Sequence, residues 1–266
     1  MNRLPVNLPT VISSPNNALL KNLRRLVTVS TDYRKQGRFW VEGDHLFLAA
    51  LLRGKRPCIG IFSESFWPLA PVEYTQAAIK TIVLPDALYD TLSALESSAR
   101  LGFVFDLPAV TPLETHVSTV ILDRVQDAGN VGAILRSASA FGFQQVIAIK
   151  GTAALWSPKV LRAGMGAHWG LHLMERATLE TLTSLTVPIV MTSPHRGKYL
   201  HHMLQNKDLP MPCAWAIGNE GQGVGHELEA LATLHVRIAQ PGGEESLNVA
   251  AAAAICLHAS ATAQLS

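Results

Sequence analysis

Three glycine-punctuated segments in the second half of the chain hold the residues whose types and spacing could do chemistry. The first is Asp127-Ala-Gly-Asn130-Val-Gly132-Ala-Ile-Leu-Arg136. Val131, Ile134, Leu135, Ala138 and Phe141 recur at helical spacing and make a buried stripe. Asn130 stands where a helix N-cap belongs. Arg136 projects about 140° from Val131 and so faces away from the core. Gly132, one turn earlier on nearly the same side, leaves the backbone open beside the guanidinium, where an anion could approach. Each residue alone also has a plain reading, Asn130 as a cap and Arg136 as a surface charge.

The second segment is Gly218-Asn-Glu220-Gly221-Gln-Gly223-Val-Gly225. So many glycines cost conformational entropy unless the backbone must turn sharply or approach a ligand closely. Glu220 is its one acid, suited either to capping free amides or to chemistry. The third is Gln240-Pro-Gly242-Gly243-Glu-Glu-Ser246-Leu247-Asn248. Here Ser246 reads as the N-cap of the following helix and Asn248 as a first-turn polar residue pointing back to the loop. Glu244 and Glu245 read as a solvated loop tip.

All three segments follow apolar runs that read as strands. Strands are expected at Ser118–Asp123, Gln145–Ile149, Val187–Thr192, Cys213–Ile217 and Leu234–Ile238. Helices are expected near Asn130–Phe141, Lys159–Gly164, Leu179–Leu185, His226–Ala232 and Leu247–Ala261. This alternation implies a parallel sheet covered on both faces, whose ligands bind beyond the carboxyl ends of the strands. A proline-bearing, aperiodic stretch, residues 108–116, reads as a linker. Before it, residues 1–107 read as a small α/β domain, with strands at Arg38–Val41, Pro57–Phe62, Lys80–Leu84 and Leu101–Asp106 and helices at Ala18–Val27 and His45–Leu52. Residues 117–266 form the second domain.

Composition narrows the function. The chain has 266 residues, 48% of them hydrophobic and 16% charged, which excludes a disordered or highly charged tail protein. Its longest apolar run, Val249–Leu257, is far short of the ~20 residues that a spanning helix needs, so no membrane association is expected. Met1–Asn17 lacks the apolar stretch of a secretory signal. The 3 cysteines, Cys58, Cys213 and Cys256, are widely spaced and fit a reducing compartment, the cytoplasm, with Cys213 and Cys256 as core fillers. His195, His201 and His202 have no cysteine or carboxylate at ligand spacing, so no metal is expected and a polar loop is the plainer reading. Phe39 and Trp40 could stack bases, although buried packing is the stronger expectation. The net charge of +2 is small, but basic residues crowd the region from Lys21 to Arg56. Lys21, Arg24, Arg25, Arg34, Lys35, Arg38, Arg53, Lys55 and Arg56 face only Asp32, Glu42 and Asp44, a balance that suits a phosphate backbone.

Together, Asn130-x-Gly132-x3-Arg136, Ile217-Gly218-Asn219-Glu220-Gly221-x-Gly223 and Ser246-Leu247-Asn248-Val249-Ala250 resemble the motifs of the SpoU/TrmH-type RNA ribose 2′-O-methyltransferases of the SPOUT superfamily. Ser157-Pro-Lys159-Val-Leu-Arg162-Ala-Gly-Met-Gly166 resembles the same family's segment after its second strand. Ser14-Pro-Asn-Asn, Lys21, Leu23, Arg34 and Phe39-Trp-Val-Glu42-Gly43 are similar to the small RNA-binding domain that often precedes this catalytic domain. The third motif departs from the family pattern at Ile238-Ala-Gln240-Pro. The resemblance implies a parallel-sheet SPOUT domain with a carboxy-terminal trefoil knot, preceded by a small α/β RNA-binding domain, and a homodimer. It further implies S-adenosylmethionine held by Gly218, Ile238, Leu247, Thr192 and Gly221. Asn130, Arg136, Glu220, Ser246 and Asn248 would form the reacting site. RNA contacts would come from Lys21, Arg24, Arg34, Lys35, Arg38 and Arg162, with ribosomal RNA favoured over transfer RNA as substrate.

The implied reaction is methyl transfer from a sulfonium to a ribose hydroxyl, which requires an oriented nucleophile and loss of its proton. Arg136 suits two roles, an unusual base aided by a phosphate or a clamp on that phosphate. Two other classes compete: an inactive RNA-binding assembly factor on the same fold, and a nucleotide-dependent oxidoreductase. The oxidoreductase needs a glycine-rich turn after the first strand with an acid about twenty residues on, a pattern that Asp127-Ala-Gly-Asn-Val-Gly meets poorly.

Overall fold

The computed structural model describes residues 8–93, 98–193, 196–242 and 246–264. Gly243, Glu244, Glu245 and His195 lie outside them, and so do the readings made on those residues. The chain divides into two compact units, Met1–Ala109 with Trp156–Trp169, and Val110–Leu155 with Gly170–Ser266. The segment 156–169 therefore packs with the first unit, although sequence order puts it among the strands of the second.

The amino-terminal unit runs β1 (Thr10–Val11), α1 (Ala18–Thr28), α2 (Asp32–Gln36), β2 (Arg38–Glu42), α3 (Asp44–Leu52), β3 (Ile59–Ser63), α4 (Val72–Thr75), β4 (Lys80–Leu84), α5 (Asp86–Asp90) and β5 (Leu101–Asp106). Its sheet has the order β1-β4-β3-β5-β2. Strands β1, β4 and β3 are mutually parallel, and β5 runs antiparallel to β3 and β2. The short β1 carries too few residues for any period-2 signal and was not expected. Phe39 is buried between Phe105, Trp156 and Trp169, with ring centroids 5.7, 4.6 and 5.6 Å away. Trp40, on the opposite face, is only 1% exposed. Neither ring is open to a base, so packing is the role of both.

The second unit runs β6 (Thr119–Leu122), α6 (Ala128–Ala140), β7 (Gln145–Ile149), β8 (His172–Ala177), α8 (Leu179–Leu182), β9 (Ile189–Thr192), β10 (Lys198–Tyr199), α9 (Leu200–Gln205), β11 (Ala214–Ile217), α10 (His226–Glu229), β12 (Leu234–Arg237) and α11 (Val249–Ala263); α7 (Pro158–Gly164) lies in the segment that joins the first unit. The sheet order is β10-β12-β9-β11-β6-β7-β8, with every pair of neighbours parallel. Strand β8 escaped sequence reading because its residues alternate weakly and are half-buried at a sheet edge. Strand β10 has two residues, and α9 holds His201 and His202, so these histidines stand on a helix and not in a loop.

Alternation of side chains covers both faces. Ile121, Ile147, Met191, Ala214 and Ala216 pack on one side with Leu182 and Leu228 of α8 and α10. On the other, Trp215 is fully buried and its Nε1 donates to Ser260 Oγ of α11 at 2.8 Å, which satisfies the indole donor. The alanines of α11 favour helix and let it lie close to its neighbours. Cys213 and Cys256 are buried as expected, and burial raises the thiol pKa of both, that of Cys213 to about 12.

Candidate active site

Strands β12, β9, β11 and β6 are consecutive in the sheet and parallel, with Thr192 opposite Val236, Met191 opposite Ala216 and Ile217 opposite Leu122. Their carboxyl ends share one edge, so the loops carrying the three motifs emerge side by side. Thr192, Gly218 and Ile238 stand at three neighbouring strand ends.

Asn130 links the loops. Its Nδ2 donates to Glu220 Oε1 at 3.1 Å, and its Oδ1 accepts from Asn248 Nδ2 at 3.1 Å. Glu220 also accepts from the backbone N–H groups of Gln126 (3.2 Å) and Asp127 (3.1 Å). Partial burial favours the protonated carboxyl. The hydrogen bonds from its own backbone, Asn130, Gln126 and Asp127 outweigh that and hold Glu220 below the usual carboxylate range. Glu220 is thus an ionised acceptor that clamps the loop before α6 to the glycine loop.

Two capping assignments are corrected. Asp127, not Asn130, caps α6, its side chain accepting from the Asn130 N–H at 2.7 Å. An aspartate three residues before a polar position was the available signal, since Asp caps as well as Asn. This frees the Asn130 amide for the network above. Likewise Asn248, not Ser246, caps α11, accepting from the N–H groups of Ala250 (2.9 Å) and Ala251 (3.2 Å), while Ser246 stays exposed. Gly132 is buried, so the backbone beside Arg136 is not open. Arg136 itself is exposed, and its guanidinium has no hydrogen-bond or ion-pair partner among the described residues.

The glycine loop is shaped by close backbone approach. A Cβ on Gly218 would lie 2.1 Å from the carbonyl carbon of Gly223 and 2.2 Å from the Val224 nitrogen, so only glycine fits. Gly223 has φ +70° and exchanges two backbone hydrogen bonds of 2.9 Å with Asn219. Sequence reading missed the support beneath. Buried Asp123 accepts from Arg124 Nε at 2.7 Å and from the Gly225 N–H at 2.7 Å. Asn219 donates to the Arg124 carbonyl at 2.9 Å and caps the turn through Gly221 and Gln222. Nothing local flags Asp123 as a support of the glycine loop, because the Gly225 amide it holds lies 102 positions away.

These strand ends fit an adenosyl group. Gly221 leaves backbone open, Leu247 presents an apolar side chain that is 38% exposed, and Gln240 Oε1 is buried without a hydrogen-bond partner among the described residues. Among the described residues no His, Cys, Asp or Glu cluster could hold a metal. Of the cations expected to meet RNA, Lys21, Arg34 and Lys35 are exposed and Arg162 is half-buried. Arg24 donates to Thr91 Oγ1 and Pro15 O, both at 3.0 Å, and Arg38 pairs with Asp106 at 2.9 Å.

An all-parallel sheet thus brings three motif loops to one carboxyl edge, where Asn130, Glu220 and Asn248 lace them together. Residues 118–258 match the model of the SpoU rRNA Methylase family. The 23S rRNA (guanosine(2553)-2′-O)-methyltransferase RlmP of Bacillus subtilis is 29% identical, across 93% of this chain and 97% of that protein. A solved RNA 2′-O ribose methyltransferase is 27% identical, covering 97% of this chain and all of that one with a TM-score of 0.76. The fold is also that of an rRNA methyltransferase from Sinorhizobium meliloti solved with AdoMet bound, TM-score 0.81 at 23% identity. The chain belongs to the SpoU rRNA methylase family, and with it to the RNA 2′-O-methyltransferases. No helix among the described residues is long and apolar enough to cross a membrane.

Proposed function

We propose that this chain methylates a ribose 2′-hydroxyl of ribosomal RNA in the cytoplasm, as a homodimer, at the edge where the β6, β11 and β12 loops meet. Ribosomal RNA is favoured over transfer RNA by the family description and by the relative that matches nearly end to end. The observation that carries the reading is the Asn248–Asn130–Glu220 chain of hydrogen bonds. It fixes two side-chain amides where the motif loops meet. Gly218, Gly221, Thr192, Ile238 and Leu247 hold the donor, whose sulfonium supplies an already electrophilic methyl. Asn130 and Asn248 orient the ribose, with Ser246 beside them, and Glu220 keeps Asn130 in place. Arg136 holds the phosphate next to the target ribose. A guanidinium offers a fork of donors that matches a phosphate, and that of Arg136 has no partner among the described residues, which suits a clamp better than a base. S-adenosylmethionine bound there would supply the methyl to the 2′-oxygen, its sulfur keeping the bonding pair, and the hydroxyl proton would leave to water. Lys21, Arg34, Lys35 and Arg162 extend the RNA contacts, and residues 1–107 and 117–266 serve as binding and catalytic domains.

A trefoil knot also agrees with the order of strands. β12 lies between β9 and β10, which follow one another in sequence, and a Cβ on Gly197 would come within 2.0 Å of the His235 carbonyl oxygen.

Single-turnover methyl transfer tests the site. Arg136→Lys is expected to weaken RNA binding while leaving the pH profile unmoved. A profile displaced by that substitution makes Arg136 a base, and intact transfer and affinity in Arg136→Ala remove it from the site. Total RNA incubated with labelled S-adenosylmethionine is expected to yield alkali-resistant linkages in ribosomal RNA. RNA binding with no incorporation would identify an assembly factor.

A further inference from the structure

Strand register in the amino-terminal unit gives its sheet two edges of opposite charge. Lys80 lies opposite Ile59, Ile59 opposite Val104, and Arg38 opposite Asp106. The starts of β2, β3 and β4 and the end of β5 therefore share one edge. The turn closing α3, Arg53-Gly54-Lys55-Arg56, leads straight into β3 at that edge, and α2 delivers Arg34 and Lys35 just before β2. The opposite edge collects Glu42, Asp44, Glu64, Asp86 and Asp90, where Arg100 sits 3.5 Å from Asp86 and 3.3 Å from Asp90.

The cations of the basic region differ in what they already hold. Arg25 is engaged by Asp32 at 2.7 Å and Arg38 by Asp106 at 2.9 Å, and Arg24 is tied to Thr91 beyond α5. The side chains of Arg53, Lys55, Arg56 and Lys80 are exposed and have no hydrogen-bond or ion-pair partner among the described residues. Lys55 and Arg56 also line a groove with Leu51, Gln76 and Ala77, with Glu73 as its one acid. Leu52 is 89% exposed and Ile79 79% exposed beside it.

We infer that this edge, through Arg53, Lys55, Arg56 and Lys80, is the RNA-gripping surface of the amino-terminal unit. The inference rests on the proposed RNA substrate and goes further by naming the surface. Unpaired cations release condensed counterions when they meet phosphates, whereas cations already paired with carboxylates have less to gain. The apolar floor at Leu51 and Ala77 accommodates a sugar or base, and the Gln76 amide offers a donor and an acceptor to a 2′-hydroxyl. The acidic edge repels the same backbone and so sets the direction in which RNA can lie.

The test compares the full chain with a Lys55→Glu/Arg56→Glu variant and with Lys80→Glu, using deproteinised bacterial ribosomal RNA at several salt concentrations. For the double variant the RNA Kd is expected to rise about tenfold or more, and the log–log salt slope to flatten by about one to two. KM for RNA should rise in parallel, while kcat and the affinity for S-adenosylmethionine stay within about twofold, the pattern of lost uniform binding. Lys80→Glu should move Kd in the same direction, and Lys207→Ala, in the other unit, should change nothing. An unaltered Kd and salt slope in the double variant overturn the inference, as does a loss of kcat that matches the loss of affinity. Should the reversal variant unfold, Lys55→Ala/Arg56→Ala must show the same change at smaller size or the inference fails. A wild-type chain that binds this RNA through these residues without methylating it would refute the proposed reaction and leave the surface standing.

Discussion

Asn130 and Glu220, 90 positions apart in the chain, share a 3.1 Å hydrogen bond at the ends of two adjacent strands. Asn130 presents both halves of its amide at once, donating to a carboxylate and accepting from Asn248. No other residue type of that length does both, and this makes it the most sensitive position in the site.

Asn130→Asp replaces the donor with a second carboxylate facing Glu220. Like charges at that distance repel, so the loops should separate and the ribose lose its alignment. Methyl transfer in single turnover is expected to fall by about a hundredfold, the scale of small misplacements in oriented reactions. Asn130→Asp transferring methyl at the wild-type rate would exclude the network from the reaction.

The pH dependence of Glu220 follows from its depressed pKa. The order it imposes is complete above the ordinary carboxylate pKa and is lost only as pH falls through its lower folded value. The methyl-transfer rate should therefore show no inflection from Glu220 between about pH 6 and 9. Glu220→Gln should lower the rate about ten- to a hundredfold without shifting the profile, because Gln126 and Asp127 lose a charged acceptor. An inflection near neutrality that vanishes in Glu220→Gln would instead make Glu220 a base.

Gly218→Ala puts a methyl group into the backbone of Gly223 and Val224. The loop must move, and the affinity for S-adenosylmethionine measured by calorimetry is expected to drop about tenfold or more, since 1.4 kcal/mol suffices for that factor. Gly242→Ala meets nothing within 4 Å among the described residues and should bind as the parent does. Equal affinity in both variants would place the donor elsewhere.

Gly102→Ala tests the amino-terminal sheet. The added Cβ would lie 2.2 Å from the Trp40 ring, which is itself buried. Overpacking of this kind destabilises by about 1–3 kcal/mol. Denaturant unfolding should show that loss, and an unchanged midpoint would contradict the packing of Trp40 on β5.

Much of this architecture is legible in the chain itself. In the second unit short apolar runs alternate with helical stretches, and that alternation predicts parallel order and places the chemistry at the carboxyl ends. Residue types within the loops, above all Asn130, Arg136, Glu220 and Asn248, follow from the same reading. What local sequence does not carry is pairing across distance. Asp127 displaces Asn130 as the cap, and Asn248 displaces Ser246, because several good capping residues stand near each helix start and tertiary hydrogen bonds select among them. Asp123 acquires its role only when Gly225 arrives 102 positions later. The segment 156–169 joins the first unit because Trp156 and Trp169 find Phe39 there, a contact that no periodicity encodes. Sequence set which groups were available and how each strand and loop would form. The folded sheet decided which of them meet, since hydrogen bonds and packing act over a few ångströms in space whatever their separation along the chain.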